Sequence, residues 1–159
     1  MTSASRPRRL WLIRHAKAAD ARPDQKDFDR PLTRKGERQC GALGDWLKAR
    51  TGAEEAKALV STAARTRETA ERALGSWFEG PRVPQPRIWN ASAGELAELL
   101  EENTGDLMII GHNPGLEQLQ SLLSGQLMPM PTAGAFELAF DDQGRCFLEA
   151  TFQPPSDSM

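Results

Sequence analysis

The sequence predicts an α/β fold, a three-layer α/β/α sandwich built on a mostly parallel mixed sheet. Two observations support this prediction. Short apolar runs alternate along the chain with segments of helical periodicity, which is typical of a sheet with helices on both faces. Near the end of the chain, two apolar runs instead flank the turn "DDQG", which predicts an antiparallel hairpin.

The first half of the chain supplies two strands, each followed by a helix. The run "RLWLIR" at residues 9–14 is a compact candidate for a buried strand, and "ALVS" at 58–61 is the second. Thr33 is predicted to cap the first helix, and the second helix follows "ALVS" directly. The inward faces of these helices are predicted to comprise Cys40, Leu43, Trp46 and Leu47 in the first, and Thr66, Ala70, Ala73, Leu74 and Trp77 in the second.

The second half begins with a short strand near residues 87–89, which the surrounding prolines restrict to a sheet edge. Ser92 and Glu95 form the pattern of a capping box before the next helix. An apolar strand at 107–110 then leads into "GHNPG", where Asn113 and Pro114 resemble the N-cap and the first residue of a helix. The inward leucines of the two helices are predicted to be Leu96, Leu99 and Leu100, followed by Leu116, Leu119, Leu122 and Leu123.

Length and charge narrow the class of protein. The 159 residues have the usual size of one domain, which we expect to span residues 8–153 between flexible tails at 1–7 and 154–159. The 20 Lys and Arg residues nearly balance the 22 Asp and Glu residues, for a formal net charge of −2. This balance argues against a nucleic-acid or anionic-membrane partner. No apolar run approaches the roughly 20 residues that a membrane span needs.

The two cysteines, Cys40 and Cys146, lie far apart in the sequence and without a CxxC or Cys/His spacing. This pattern predicts neither a zinc site nor a disulfide-stapled scaffold. We therefore expect reduced thiols in a cytoplasmic protein. The oligomeric state is not predictable from these features.

Both histidines of the chain follow predicted strands. His15 comes directly after the first strand, and His112 follows the strand at 107–110. Since the carboxyl ends of parallel strands meet at one sheet edge, where α/β proteins bind ligands, we expect the two rings to lie close together. Arg14 precedes His15, and Arg65 lies in the first turn of the helix after "ALVS", so both guanidinium groups are expected at the same edge.

These residue types suit a phosphoryl group. The planar guanidinium fork matches phosphate oxygens, and a helix N-terminus adds amide donors. A neutral imidazole is a competent nucleophile toward phosphorus, and Arg14, Arg65 and Lys17 are each expected to lower the pKa of His15. A lone histidine at a strand end is more often a hydrogen-bonded structural residue than a catalyst, and Arg67 is better explained as a surface charge. The combination at successive strand ends is what favours a site.

Several stretches together resemble the histidine phosphatase superfamily, and within it the small SixA-type phosphohistidine phosphatases. They are "LIRHAKA", "DFDRPLTRKG", "VSTAARTRETA", "IWNASAGEL", "MIIGHNPGLE" and "MPTAGAFELAFD", in an order and spacing that agree from Arg9 to about Asp141. The resemblance implies a phosphoglycerate mutase-like fold for the domain at 8–153. It also implies a covalent mechanism in which His15 attacks phosphorus and becomes phosphohistidine, which water then hydrolyses.

The resemblance also suggests the roles of other residues. Arg14, Arg65 and His112 match the family's phosphate-pocket residues one for one. Arg30 in "DFDRPLT" is expected to border the pocket, and Lys17 either tunes the pocket or lines its rim. The implied phosphatase needs neither a metal nor another cofactor, and its substrate would be a phosphorylated partner such as a phosphohistidine-bearing protein.

Two departures from the superfamily pattern bear on the substrate. Ala16 stands where the commoner motif has glycine, which implies a backbone without positive φ. Asn90 stands in the segment where larger relatives carry a glutamate that acts as general acid. An alkoxide leaving group needs such a proton donor, whereas a protonated phosphoramidate can leave as a neutral imidazole. Substitutes for the acid would have to come from Asp20, Asp24, Asp27 and Asp29, which are more simply explained as a solvated loop.

The main hypothesis is therefore a metal-independent phosphatase that acts through His15 on protein phosphohistidine. One alternative keeps the chemistry and changes the substrate to a small phosphorylated metabolite. Another is a phosphate- or phosphopeptide-binding module without turnover. The set Arg14, His15, Arg65 and His112 argues against that module, since binding alone needs no nucleophile.

Overall fold

The computed structural model describes residues 7–156, which form a six-stranded sheet with a pair of helices on each face. The predicted three-layer sandwich is confirmed. In chain order the elements are β1 (Arg8–Arg14), α1 (Arg34–Lys48), β2 (Lys57–Val60), α2 (Ala64–Leu74), β3 (Arg82–Pro84), α3 (Ala93–Glu102), β4 (Leu107–Gly111), α4 (Gly115–Ser124), β5 (Ala135–Phe140) and β6 (Cys146–Phe152).

The strands are ordered β3-β2-β4-β1-β5-β6 across the sheet. The first four in this order run parallel, while β5 is antiparallel to β1 and β6 is antiparallel to β5. The predicted hairpin of the last two strands is confirmed, with an irregularity in register between Glu137 and Leu138. The sheet is therefore mixed and mostly parallel, and β1, β4 and β2 lie next to one another at its centre.

Strand β1 shows why the core has two halves. Trp11 and Ile13 pack in the cluster formed with α1 and α2, whereas Leu10 and Leu12 pack in the cluster formed with α3 and α4. All four side chains are fully buried. Successive side chains of a strand point to opposite faces, so an unbroken apolar run is what a strand covered on both faces requires.

The helix starts follow the predicted capping chemistry at two places. The Thr33 side chain accepts a hydrogen bond from the Gly36 N–H at the start of α1. Ser92 and Glu95 form a complete capping box at the start of α3, with each side chain accepting from the other residue's N–H. Both caps satisfy amide groups that the first turn of a helix leaves unpaired.

The predicted edge strand near residues 87–89 is wrong in position. The edge strand is β3, at Arg82–Pro84, and Pro86–Ile88 forms a short 3-10 turn. Pro86 has no N–H for a sheet ladder, and the Gln85 side chain accepts from the Arg87 N–H, which curls the chain away from the sheet. The prolines do confine this region to an edge, as expected.

The start of α4 also differs from the prediction. Pro114, rather than Asn113, occupies the N-cap position, and the helix begins at Gly115. The Asn113 side chain instead accepts from the Glu117 N–H and donates to the Glu117 carboxylate, which ties the turn to the helix. Leu122, predicted to face inward, is 67% exposed because the helix buries only the stripe that includes Leu116 and Leu119.

Most of the two predicted tails, residues 1–6 and 157–159, lies outside the described residues. Residue 7 and residues 153–156 carry no helix or strand. Between residues 7 and 156, no helix combines the length and the apolarity needed to cross a membrane.

Candidate active site

The carboxyl ends of β1, β2 and β4 bring three polar side chains to one edge of the sheet. His15 follows β1, Ser61 follows β2 and His112 follows β4. The His15 N–H donates to the Gly111 carbonyl at 3.1 Å, and the Ser61 N–H donates to the Ile110 carbonyl at 3.0 Å. The ring centroids of His15 and His112 are 5.5 Å apart. The structure therefore brings both histidines together, at the edge that the sequence predicted.

The hydrogen bonds around His15 indicate which of its two ring nitrogens carries the proton. His15 is only 8% exposed, and its Nδ1 atom lies 2.7 Å from the Ala16 carbonyl oxygen. Because a carbonyl oxygen only accepts hydrogen bonds, we assign the ring proton to Nδ1, which leaves the lone pair on Nε2. The Ala16 N–H donates in turn to the Thr69 hydroxyl of α2 at 2.9 Å, which anchors this turn of the backbone.

Burial and three arginines keep the His15 ring neutral. Burial is the largest cause, and the charges of Arg65, Arg14 and Arg30 act in the same direction, lowering the pKa of His15 to about 4. The expected effects of Arg14 and Arg65 are confirmed, although burial exceeds them, whereas the third charge that lowers this pKa is that of Arg30 and not of Lys17. At neutral pH the ring therefore retains its nucleophilic lone pair.

His112 is held by Ser61. The Nε2 atom of His112 lies 2.8 Å from the Ser61 hydroxyl oxygen. That oxygen accepts a hydrogen bond from the Ala63 N–H at 3.5 Å, so its own proton is free to be donated to Nε2. We assign the hydroxyl proton to this contact and the ring proton to Nδ1, which is buried without a hydrogen-bond partner. Burial, together with the charges of His15 and Arg65, lowers the pKa of His112 to about 3.

The two arginines have fixed guanidinium planes and free donors. Arg14 donates from Nη1 to the Met130 carbonyl oxygen at 2.9 Å. Arg65, which is 6% exposed, donates from Nη1 to the Asp27 carbonyl at 2.8 Å and from Nη2 to the Asp27 carboxylate at 3.2 Å. The Nε atoms of both arginines are buried without a partner. With His112 Nδ1 they make three buried nitrogens that an anion would satisfy.

Aromatic rings border these groups. Trp89 lies nearly perpendicular to His112, with a centroid distance of 5.1 Å, and the guanidinium carbon of Arg65 is 5.2 Å from the Trp89 ring centroid. Phe28 packs edge-on against Trp89, also at 5.1 Å. The sequence reasoning missed both Trp89 and Ser61 as site residues. The one signal for Ser61 was its position at the end of a parallel strand adjacent to that of His112.

The other predicted site residues lie around this centre. The Arg30 side chain donates to the Asp27 carboxylate at 2.7 Å and to the Ala19 carbonyl at 3.0 Å, so it reaches the site through Asp27. Lys17 is exposed, and its carbonyl oxygen accepts from the Thr33 N–H that precedes α1. Of the four aspartates considered as substitute acids, Asp27 contacts a residue of the site.

Asn90 lies in the segment where larger relatives carry a glutamate, and it presents an amide instead of a carboxyl group. Asn90 has a positive φ of 60° and lines a cavity that His112 also lines. The other lining residues of this cavity are Ala91, Ser92, Asn113, Pro114 and Gln118. No carboxyl group is among them.

Among residues 7–156, no group of three or more His, Cys, Asp or Glu side chains is arranged to hold a metal ion. Cys40 is buried and Cys146 is half-buried, and both are free thiols.

Comparisons with known proteins agree with this geometry. Residues 10–113 match the sequence profile of the histidine phosphatase superfamily (branch 1). An uncharacterized protein of Mycobacterium tuberculosis is 34% identical over 116 residues, which cover 70% of each chain.

Two solved structures share the fold. One, from Agrobacterium tumefaciens and provisionally named the phosphohistidine phosphatase SixA, has a TM-score of 0.84 at 31% identity and covers 94% of this chain and all of its own. A second, from Nakamurella and provisionally given the same name, has a TM-score of 0.80 at 26% identity, covering 97% of this chain and all of its own. By its sequence profile and its relatives, the chain belongs to the histidine phosphatase superfamily.

Proposed function

We propose that this protein is a phosphatase that forms a covalent phosphohistidine on His15 and acts on protein phosphohistidine, as the SixA-type enzymes do. One observation carries the proposal. His15 is buried and neutral, with its lone pair on Nε2, and its neighbours Arg14, Arg65 and His112 each carry a buried nitrogen without a hydrogen-bond partner. A site for binding alone would gain nothing from an imidazole held in the unprotonated state.

The reaction follows from these groups in two steps. In the first, His15 Nε2 attacks phosphorus, a new N–P bond forms and the leaving group departs with the electron pair of the bond that breaks. In the second, water attacks the phosphohistidine and releases phosphate, and His15 recovers its lone pair. Arg14, Arg65 and the Nδ1–H of His112 donate to the phosphoryl oxygens and stabilise the charge that develops on them in both transition states.

The absence of a carboxyl group beside Asn90 favours a substrate that needs no enzyme acid. Alkyl phosphates depart as alkoxides and depend on a proton donor that typically contributes ~10²–10⁴-fold. A phosphohistidine whose ring is already protonated departs as neutral imidazole. The names of the Agrobacterium and Nakamurella relatives support the same substrate class.

The proposal also covers the bounds of the domain, its cofactor requirement and its partner. We place the phosphatase domain at residues 8–153. Its side chains alone catalyse the reaction, without a metal or another cofactor. The partner is a phosphorylated protein rather than a nucleic acid or a membrane. Arg30 and Lys17 are assigned to the border of the site, Arg30 through Asp27 and Lys17 at the exposed rim.

The first experiment tests turnover and the nucleophile together. The purified protein should hydrolyse phosphoimidazole and 4-nitrophenyl phosphate in excess chelator, and an acid-labile phosphoryl group should be trapped on the protein by rapid quenching. His15→Ala should abolish both turnover and trapping, whereas Arg67→Ala, in an exposed neighbour of the site, should retain them. Chelator-sensitive activity, or activity that survives in His15→Ala, would refute the mechanism.

The second experiment tests the substrate class. Phosphohistidine in a protein should be hydrolysed with a higher kcat/KM than a panel of unactivated alkyl phosphomonoesters. A preference for the alkyl esters would instead point to a small-molecule phosphomonoesterase. Phosphate bound tightly, with no release of product over long incubation, would point to a binding module.

A further inference from the structure

A carboxylate and two aromatic rings flank the candidate site, and the mechanism described above does not use them. Asp27 and Phe28 belong to the 3-10 turn at Asp27–Asp29, and Trp89 follows the 3-10 turn at Pro86–Ile88. We call these three residues, Asp27, Phe28 and Trp89, the flanking surface. Phe28 and Trp89 are half-buried, and the Asp27 side chain is 59% exposed, so each offers surface to a ligand.

The flanking surface contacts two of the groups that are proposed to hold the phosphoryl oxygens. Asp27 pairs with Arg65, and Trp89 packs against both Arg65 and His112. In an in-line transfer, the attacking and leaving atoms lie on opposite sides of phosphorus, with the oxygens between them. A surface that extends from the oxygen-binding residues is therefore in position to touch the leaving group.

The charge of Asp27 is at odds with an ordinary phosphate ester. A carboxylate 3.2 Å from the phosphate-binding Arg65 repels a dianionic phosphoryl group and competes with it for the guanidinium. Although partial burial opposes ionisation, Arg65 and Arg30 lower the pKa of Asp27, so it is a carboxylate at neutral pH and cannot serve as a proton donor. Arg30, 2.7 Å from the same carboxylate, offsets part of this charge, and a positive charge on the substrate at this position would offset more of it.

We propose that the flanking surface is a binding subsite for a protonated imidazole leaving group, in which Asp27 accepts the ring N–H and the Phe28 and Trp89 rings pack against the imidazole. This inference rests on the phosphatase function proposed above and specifies its substrate further. A flat, cationic heteroaromatic ring satisfies the carboxylate and the aromatic surface at once.

The chemistry balances without an enzyme acid. The substrate ring carries phosphorus on one nitrogen and a proton on the other. When His15 Nε2 forms its bond to phosphorus, the substrate N–P bond breaks and its electron pair returns to the ring nitrogen. The ring leaves as neutral imidazole with its proton still on the nitrogen that faces Asp27. Asp27 thereby favours the protonated substrate ring and accepts no proton itself.

The first test compares two substrates in one variant. Asp27→Asn should lower kcat/KM for phosphoimidazole by about tenfold, as expected for the loss of a charge-assisted hydrogen bond. In the same variant the KM for 4-nitrophenyl phosphate should be unchanged or lower, because the competing carboxylate is gone. Asp24→Asn, in an exposed residue of the same loop, is the matched control and should change neither value by more than about twofold.

The pH dependence of kcat supplies a readout that structural damage would not move. kcat reports ionisations in the enzyme–substrate complex. With phosphoimidazole, kcat should fall as the pH rises and the substrate ring loses its proton. Without the Asp27 charge this fall should move to lower pH, because the cationic ring is less favoured. The profile with 4-nitrophenyl phosphate should show no such shift.

Substitutions of Trp89 test the aromatic part of the subsite. Trp89→Leu should raise the KM for phosphoimidazole more than the KM for phosphoramidate, which has an N–P bond but no ring, and Trp89→Phe should restore most of the difference. Equal losses on all substrates in both Asp27→Asn and Trp89→Leu would overturn the subsite while leaving the phosphatase function intact. A wild-type protein that hydrolyses none of these substrates would overturn both.

Discussion

The Nε2 atom of His112 lies 2.8 Å from the hydroxyl oxygen of Ser61, and this contact joins the ends of the neighbouring parallel strands β4 and β2. Ser61 is fully buried, and its hydroxyl also receives the Ala63 N–H. With the Ser61 hydroxyl assigned as the donor to Nε2, the ring proton of His112 lies on Nδ1. In the proposed mechanism this tautomer lets Nδ1 donate to a phosphoryl oxygen, and Ser61 acts on the substrate through His112.

Ser61→Ala should lower kcat/KM for 4-nitrophenyl phosphate by about five- to tenfold, because the loss of one orienting hydrogen bond costs ~1 kcal/mol. The effect is expected in steady-state kinetics at pH 7. Ser76→Ala, in an exposed serine, is the matched control and should match the wild type. Unchanged kinetics in Ser61→Ala would mean that His112 is oriented by other contacts.

The lowered pKa of His15 predicts a pH dependence of stability. The folded-state pKa is about 4 and the ordinary value is 6.5, so between these values the unfolded chain binds a proton that the folded protein does not. Stability is therefore fully present above pH 6.5 and is lost as the pH falls toward 4. His15→Gln removes this contribution, because glutamine does not titrate.

The measurement is urea unfolding at pH 7 and pH 5. The wild type should lose about 2 kcal/mol more of its free energy of unfolding over this interval than His15→Gln does, from the proton taken up by one histidine of the unfolded chain. Carboxylates that titrate in the same interval affect both proteins alike and cancel in the difference. Equal losses in the two proteins would show that the folded-state pKa of His15 lies near its ordinary value.

The central part of the site follows from the sequence because it depends on local rules. An apolar run buried on both faces indicates a strand, and the ends of neighbouring parallel strands must meet. From these two facts alone, the sequence predicts that Arg14, His15 and His112 lie together. Arg65 follows from the same reasoning, since it opens the helix after the next strand.

The flanking residues could not be predicted in this way. Trp89 and Asp27 reach the site through two loops whose paths depend on the packing of short 3-10 turns, and loop composition does not define such paths. Burial, the main cause of the lowered pKa of His15, likewise depends on the packed structure. The prolines near β3 indicated an edge and not the residues of the strand.

Arg65 is predicted to bind phosphate through its planar fork as well as through its charge. Arg65→Lys keeps the positive charge and loses the fixed donors, including the unpaired Nε, so inorganic phosphate should bind at least tenfold more weakly. Isothermal calorimetry at constant ionic strength measures this change. The exposed Arg67 allows the same substitution as a control, and Arg67→Lys should bind as the wild type does. Wild-type affinity in Arg65→Lys would mean that charge alone is recognised.

The position of the His15 turn depends on a glycine in α1. A Cβ atom on Gly36 would lie 2.2 Å from the Lys17 carbonyl oxygen, which is itself bound by the Thr33 N–H and hydroxyl group. Since this neighbour is backbone, it cannot move aside as the end of a flexible side chain can. Gly36→Ala should therefore destabilise the fold by about 1–3 kcal/mol and shift the backbone two residues beyond His15.

The same helix provides the control for Gly36→Ala. A Cβ atom on Gly41 would meet nothing within 4 Å. Gly41→Ala should therefore stabilise the protein by about 0.5–1 kcal/mol through the ordinary helix preference of alanine. Urea unfolding should show opposite signs for the two substitutions, and kcat should fall in Gly36→Ala while it is retained in Gly41→Ala. If both substitutions were stabilising, α1 could not pack directly on the backbone of the His15 turn.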